Sequence, residues 1–329
     1  MIEIKSSDHS IWIGEDCFSK LELTKYSKMG ILVDENTKKH CLPKFPKTDN
    51  TIIIEIKSGE EYKNINTCEY IWKQLTDYEF DRKSVLINLG GGVIGDIGGF
   101  SASTYKRGIP FIHIPTTLLA MTDASIGGKL GVDFKYLKNH IGLFKNPKAI
   151  FINPKFLDTL ENNVLMSGFS ETIKHALIAN KNLWKKISES NIEDLNLLEI
   201  IESSVKIKND IIILDPLDDN KRKQLNFGHT FAHAIESYYL EKKSPVLHGE
   251  AVLMGIIMES EISELSNEEK NEIKGYILNN FKLPYTPSKK ELIKYMTNDK
   301  KNSEDKINLS LLESIGKCSI NNLFNINEL

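Results

Sequence analysis

The rhythm of apolar and polar positions changes near residue 160. Before it, short β-branched runs recur at Ile11–Ile13, Met29–Val33, Thr51–Ile56, Val85–Leu89, Phe111–Ile114 and Ala149–Asn153. Between them lie segments with helical spacing, such as Asn64–Thr76, where Ile65, Cys68, Ile71, Trp72 and Leu75 fall on one face. Strand–helix alternation predicts a parallel sheet covered by helices. After residue 160 helical periods dominate: Val164–Ala179, Leu197–Leu214, His229–Leu240, Gly249–Leu265 and Asn267–Asn280. Lys306–Ser319 reads as a small hairpin, and the Lys/Asn-rich stretches 181–195 and 298–306 read as solvated surface. The expected architecture is α/β + α: a Rossmann-like, parallel-sheet domain over residues 1–160, then a mainly α-helical domain over residues 161–329.

Composition narrows the class. The chain has 329 residues, 40% of them hydrophobic, which is enough for two ordinary domains. With 42 basic against 45 acidic residues the net charge is −3, which argues against a nucleic-acid binder working through bulk positive field. The longest apolar stretch, Ala251–Met258, falls far short of the roughly 20 residues of a membrane span. No basic segment followed by an apolar block opens the chain, so no secretory signal is expected. Cys17, Cys41, Cys68 and Cys318 form no C-x-x-C pair, which fits a reducing cytoplasm better than a disulfide framework. Among the basic residues only Arg82, Arg107 and Arg222 are arginine, so arginine marks places where a planar, bidentate donor matters.

Three stretches carry candidate chemistry. Ten of the 20 glycines fall between Gly90 and Gly131. Gly90, Gly92 and Gly95 spell G-x-G-x-x-G after a strand, a turn that lets backbone N–H groups face a pyrophosphate, although a purely structural turn is as common. Asp34, Glu35 and Asn36 end one strand and Gly59–Lys63 follow another, where an open α/β sheet places its ligand crevice. Thr116 and Thr117 follow the Phe111–Ile114 strand, as helix caps or as ligand contacts. Asp123-Ala-Ser-Ile-Gly-Gly-Lys129 and Lys138-Asn139 read as an anion clamp, against a background of many lysines. Finally, Glu171, Lys174 and His175 share a helical face, while His229, His233 and His248 crowd into 20 residues. One Glu with two His is a ligand set for a catalytic zinc with an open position, but spacing leaves undecided which two histidines serve.

The strings GGGVIGD, STYKRG, HIPTTLLAMTDASIGGK, KNHIGLF, SGFSETIKHALI, NFGHTFAHAIE and HGEAV, in this order over most of the chain, resemble the 3-dehydroquinate synthase family closely. The resemblance implies conversion of 3-deoxy-D-arabino-heptulosonate 7-phosphate to 3-dehydroquinate and phosphate, in aromatic amino-acid biosynthesis. The implied route is transient oxidation by NAD⁺, phosphate elimination, re-reduction and intramolecular aldol closure, with Zn²⁺ or Co²⁺ bound. It puts the metal ligands at Glu171, His229 and His248 and leaves His233 to handle protons. NAD contacts are implied at Asp34, Asn36, Glu60 and Lys63, then at Gly91, Gly92, Val93 and Asp96. Further NAD contacts fall at Thr116, Thr117, Leu119 and Lys138, and finally at Phe156 and Thr159. Substrate contacts are implied at Asp123, Lys129, Asn139 and Lys174, with Lys208, Arg222, Asn226 and one lysine of the Lys300-Lys301 pair, here assigned to Lys300. Arg107 matches an arginine that reaches a neighbouring subunit's phosphate site, implying a homodimer. A sugar phosphate cyclase for a substrate without the carboxylate, a metal-dependent polyol dehydrogenase and a non-catalytic binding protein are the competing readings. Lys208, Arg222 and Asn226 speak against the first, the phosphate-clamping basic residues against the second, and the full set of catalytic groups against the third.

Overall fold

In the computed structural model, residues 1–46, 51–135, 137–296 and 306–325 are described. The chain divides into two units, Met1–Glu161 with Leu197–Asn209, and Asn162–Asn196 with Asp210–Leu329. The stretch Leu197–Asn209 thus counts with the first unit, although its helical pattern continues the texture of the second half.

The first unit is built on β1 (Ile2–Lys5), β2 (Ser10–Ile13), β3 (Met29–Asp34), α1 (Glu35–His40), β4 (Thr51–Ile56), α2 (Ile65–Asp77), β5 (Val85–Gly90), α3 (Gly92–Thr104), β6 (Phe111–Pro115), β7 (Lys129–Phe134), β8 (Leu137–Phe144) and β9 (Ala149–Ile152). Among the described residues, seven strands form one sheet in the order β1-β2-β9-β6-β5-β3-β4, parallel except for the β1–β2 pair. The central strand β5 is buried along its whole length, as expected of a strand covered on both faces. Leaving aside β2, which runs parallel beside β9, the parallel strands β3, β4, β5, β6 and β9 are arranged second-first-third-fourth-fifth in chain order, a doubly wound order whose switch point lies between β3 and β5.

Three strands here lie outside the sequence expectation. β1 is a four-residue edge strand, too short to show alternation. β7 and β8 form a separate antiparallel hairpin, and β8 exposes nearly every residue, so it offers no buried face for periodicity to reveal. The glycine cluster also divides by cause. A Cβ on Gly98 would lie 2.0 Å from Asn88 Oδ1 and one on Gly99 2.5 Å from Leu130 Cδ2, so these two let α3 press against β5 and β7. In the turn itself a Cβ on Gly91 would press on Thr117 Cγ2 at 3.2 Å, whereas one on Gly92 would make only an ordinary contact with Ala124 at 3.5 Å.

The second unit holds α4 (Asn162–Ala179), α5 (Lys181–Ser188), the last turn of α6 (Leu197–Leu214), α7 (His229–Glu241), α8 (His248–Ile262), α9 (Asn267–Asn280), α10 (Lys289–Met296) and the hairpin of β10 (Lys306–Ser314) and β11 (Lys317–Asn325). The reading of 181–195 as solvated surface is corrected by α5, whose Leu183, Trp184 and Ile187 are buried at i, i+1 and i+4 beneath the lysines. Two glycines set the helix spacing that matters for the site. A Cβ on Gly249 would lie 2.1 Å from the Ser167 carbonyl oxygen of α4, and one on Gly255 1.9 Å from the Gly228 carbonyl at the start of α7. Helices α4, α7 and α8 therefore meet at backbone distance. No helix among the described residues is long and apolar enough to cross a membrane.

Candidate functional site

In the first unit the expected cofactor residues gather at the carboxyl ends of the parallel strands. Asp34 closes β3, Glu60 and Lys63 follow β4, Gly91 and Gly92 follow β5, and Thr116 and Thr117 follow β6. This edge flanks the β3–β5 switch point, where doubly wound sheets bind ligands. Gly91 precedes the first residue of α3 as its cap, so the first N–H groups of that helix open toward the turn. Some of the expected contacts are already engaged. Asp34 Oδ1 accepts from Thr37 N at 2.7 Å and Thr37 Oγ1 at 2.9 Å, capping α1. Thr117 Oγ1 accepts from Ala120 N at 3.2 Å. Phe156 is buried against Phe18, ring centroids 6.2 Å apart, while Thr159 is exposed. Asn36, Glu60 and Lys138 are exposed, and Val93 and Leu119 half-buried.

Lys63 ties this edge together. Its ammonium lies 2.5 Å from Asp96 Oδ2 and donates to Asn139 Oδ1 at 2.6 Å. Burial pulls the Lys63 pKa down, but the Asp96, Glu60 and Asp133 carboxylates together outweigh it and hold the group above its ordinary value, hence charged. Asn139 sits at φ +49° with its N–H donating to Asp133 Oδ1 at 2.7 Å, a strained position that aims its side chain at Lys63. Lys208 donates to the carbonyl oxygen and to Oδ1 of Asp123 at 2.7 Å and 2.6 Å. Lys129 stands exposed at the start of β7. Arg107 is exposed too, directly after α3, and with Lys106 forms two consecutive left-handed residues at φ +68° and +50° before Gly108.

In the second unit Glu171, in the middle of α4, is fully buried. His229 is the first residue of α7 and His248 the first of α8. His229 Nε2 lies 3.4 Å and His248 Nε2 3.7 Å from Glu171 Oε1, and the ligand atoms of the three residues all fall within 4.8 Å of one another. Donors at about 2.0–2.1 Å around a tetrahedral ion stand roughly 3.3 Å apart, near the 3.4 Å and 3.7 Å found here, so the three side chains suit a divalent cation with one position left open. The Nδ1 atoms are engaged on the far side. His229 Nδ1 lies 3.2 Å from the Phe227 carbonyl oxygen, which can only accept, so the proton is on Nδ1 and Nε2 keeps its lone pair. His248 Nδ1 lies 3.5 Å from Glu236 Oε1.

Electrostatics separate the two rings. Burial, assisted by the Lys174 ammonium, holds His229 well below the ordinary imidazole range, so it is neutral, as a metal ligand must be. Burial also pushes His248 down, but Glu171 and Glu236 lift it to about 10, so the two carboxylates hold its ring protonated. Lys174 is buried and pairs with Glu171 one turn away on α4. His233 packs edge-on to His229 with ring centroids 5.7 Å apart and has no ligand atom in the Glu171–His229–His248 group. Arg222 is buried in the loop before α7, donating to the Pro216 carbonyl at 2.9 Å, and its backbone N–H is held by Asp215 Oδ2 at 2.9 Å. Asn226 follows half-buried. Lys300 and Lys301 lie outside the described residues.

Glu236 and Glu259 are functional neighbours that the sequence reading leaves out. Glu236 falls at i+7 from His229 and i+3 from His233, a helical-face signal that spacing does carry. Glu259, fully buried on α8, accepts from Gly228 N at 2.7 Å and so pins the left-handed residue just before His229; its apolar sequence neighbourhood gives no such signal.

Comparison with known proteins places these features in one group. A family model described as 3-dehydroquinate synthase N-terminal matches residues 53–167, and one described as 3-dehydroquinate synthase C-terminal matches residues 168–302. A 3-dehydroquinate synthase of Campylobacter concisus is 40% identical over 328 residues, covering 97% of this chain and 93% of its own. Among solved structures, 2-deoxy-scyllo-inosose synthase complexed with carbaglucose-6-phosphate, NAD⁺ and Co²⁺ superposes with a TM-score of 0.85 at 24% identity, covering 98% of this chain and 96% of that one. A 2-epi-5-epi-valiolone synthase from Streptomyces hygroscopicus with NAD⁺ and Zn²⁺ bound gives 0.86 at 22% identity, covering 100% and 96%.

Proposed function

The chain belongs to the 3-dehydroquinate synthase family, and from that premise we infer that it converts 3-deoxy-D-arabino-heptulosonate 7-phosphate to 3-dehydroquinate and phosphate, using NAD⁺ and a divalent metal, Zn²⁺ or Co²⁺. The observation that carries the reading is the convergence of one buried carboxylate and two imidazole Nε2 atoms from three helices. Bound to this chain, the ion would supply Lewis acidity at a substrate hydroxyl, and the dinucleotide would supply reversible hydride acceptance.

The remaining work belongs to the chain's own residues. Glu171, His229 and His248 hold the ion, and Lys174 balances the Glu171 carboxylate. His233, one turn from His229, holds and moves the proton of the reacting hydroxyl. Arg222, Lys129, Lys208 and Asn226 bind the substrate's phosphate and carboxylate through charge-assisted hydrogen bonds, Arg222 with a planar fork already oriented by its loop. Asp123 and Asn139 accept and donate at the sugar hydroxyls. The strand ends around Asp34, Gly91 and Thr117 seat the dinucleotide, with the first N–H groups of α3 at the pyrophosphate. Arg107 reaches the site of a second copy, so the working form is a homodimer. Phosphate release from the heptulosonate phosphate tests the reading. It is expected to require both NAD⁺ and metal, to stop with a chelator and to return on adding Zn²⁺ or Co²⁺. Release that survives both chelation and removal of NAD⁺ contradicts it.

A further inference from the structure

We propose that Glu236 is a positioning residue for the metal centre, its carboxylate fixing the tautomer and rotation of His248 and thereby setting the affinity of the Glu171–His229–His248 triad for a divalent cation. The proposal deepens the metal reading above and rests on it.

Two rings point their Nε2 atoms at the same Glu171 oxygen, yet they are held differently. His229 is 14% exposed and anchored by a backbone acceptor, the Phe227 carbonyl at 3.2 Å. That acceptor lies in the loop leading into its own helix and is present whatever the side chains are. His248 is 32% exposed, so packing restrains its ring less, and the acceptor on its Nδ1 is a side chain from another helix, Glu236 Oε1 at 3.5 Å. Glu250, two residues along α8, already uses its carboxylate on Leu247 N at 2.8 Å. Among the described residues, the carboxylate that meets His248 from the side away from Glu171 is therefore that of Glu236.

The arrangement follows from helix geometry. His229, His233 and Glu236 occupy i, i+4 and i+7 on α7, so one face of that helix presents a ligand, a second imidazole and a carboxylate in line. The close approach of α8 to α7 at Gly255 brings the start of α8 alongside that face. A carboxylate accepting from the distal N–H of a ligating histidine fixes the ring, raises its basicity, and is typically worth 10–100-fold in metal affinity. Glu236 is half-buried, 14% exposed at its side chain, so water competes weakly for the contact.

The test uses the full-length protein stripped of metal and Co²⁺ alone as probe, with affinity read by competition against a chromophoric chelator and the site read by the visible spectrum of the bound ion. Glu236→Ala is expected to weaken Co²⁺ binding by about 10–100-fold and to alter the spectrum. Glu236→Gln keeps an acceptor oxygen for Nδ1–H and is expected to recover most of the affinity. Co²⁺ bound by Glu236→Ala with wild-type affinity and spectrum overturns the proposal. So does an equal loss in both variants accompanied by equally lowered melting of the metal-free protein, which marks a merely structural role. A wild-type chain that fails to bind Co²⁺ stoichiometrically overturns the metal reading itself, a result distinct from either of these.

Discussion

The two histidines of α7 show what a residue's surroundings add to its identity. His229 and His233 are the same side chain four positions apart, and spacing alone treats them alike. In the structure His229 has its Nδ1 on a carbonyl and its Nε2 3.4 Å from Glu171, while His233 stands beside it outside the ligand group. His229→Ala is therefore expected to lose bound metal, since two ligands hold a divalent ion poorly. His233→Ala is expected to keep near-stoichiometric metal and lose about 10²–10⁴-fold in rate. Elemental analysis of both purified variants beside their turnover checks this, and equal metal loss in both contradicts it. A second residue has a consequence for stability. His113 on β6 is buried beside Asn88, with Asn88 Nδ2 and His113 Nδ1 3.3 Å apart, and burial pushes its pKa down to about 3. Above pH ~6.5 the ring is neutral whether folded or not and contributes nothing to pH dependence. Between there and pH ~3 the unfolded chain takes up a proton that the folded chain refuses, so stability falls by roughly 1.4 kcal/mol per pH unit as pH drops. His113→Gln is expected to flatten that slope by about one proton in urea midpoints measured from pH 7 down to 4.5, and parallel slopes would count against it. Neither environment is written in local sequence, because both depend on strands and helices distant along the chain.

At the scale of elements, the sequence is most legible where one face is buried. The long helices α4, α7, α8 and α9 and the six expected strands form within a few residues of their apolar patterns. The β7–β8 hairpin leaves no pattern, since β8 has almost no buried face, and α5 is hidden by lysines around a three-residue stripe. The glycine cluster stands out in the sequence, but its causes are not separable there: Gly98 and Gly99 serve close packing, whereas Gly92 has room for a Cβ. The same distinction governs α8. Gly255→Ala would drive a methyl into the Gly228 carbonyl, 1.9 Å away, so α7 and α8 must part and with them His229 and His248. The expected cost is about 1–3 kcal/mol of stability together with weakened metal binding. Gly275 on α9 is the control, since a Cβ there would meet nothing within 4 Å. Gly275→Ala is expected to stabilise by roughly 0.5–1 kcal/mol through lower backbone entropy in the unfolded chain. Chemical denaturation of both variants reads the contrast, and equal shifts would contradict the packing account.

For the whole molecule, the two-part division and the ordered motifs are readable from the chain. The return of Leu197–Asn209 to the first unit is not readable, since the pattern of α6 is continuous across the division. Function at this scale is a matter of stoichiometry. The proposed reaction is redox-neutral overall, so NAD⁺ acts as a catalyst and is regenerated on the enzyme, whereas a dehydrogenase with the same kind of site consumes it. Phosphate release and nicotinamide absorbance, followed together with the heptulosonate phosphate in large excess over NAD⁺, separate the two. Many phosphates released per NAD⁺, with no steady accumulation of NADH, are expected. NADH accumulating in proportion to product, with phosphate release ending when NAD⁺ is spent, would contradict the redox-neutral reaction.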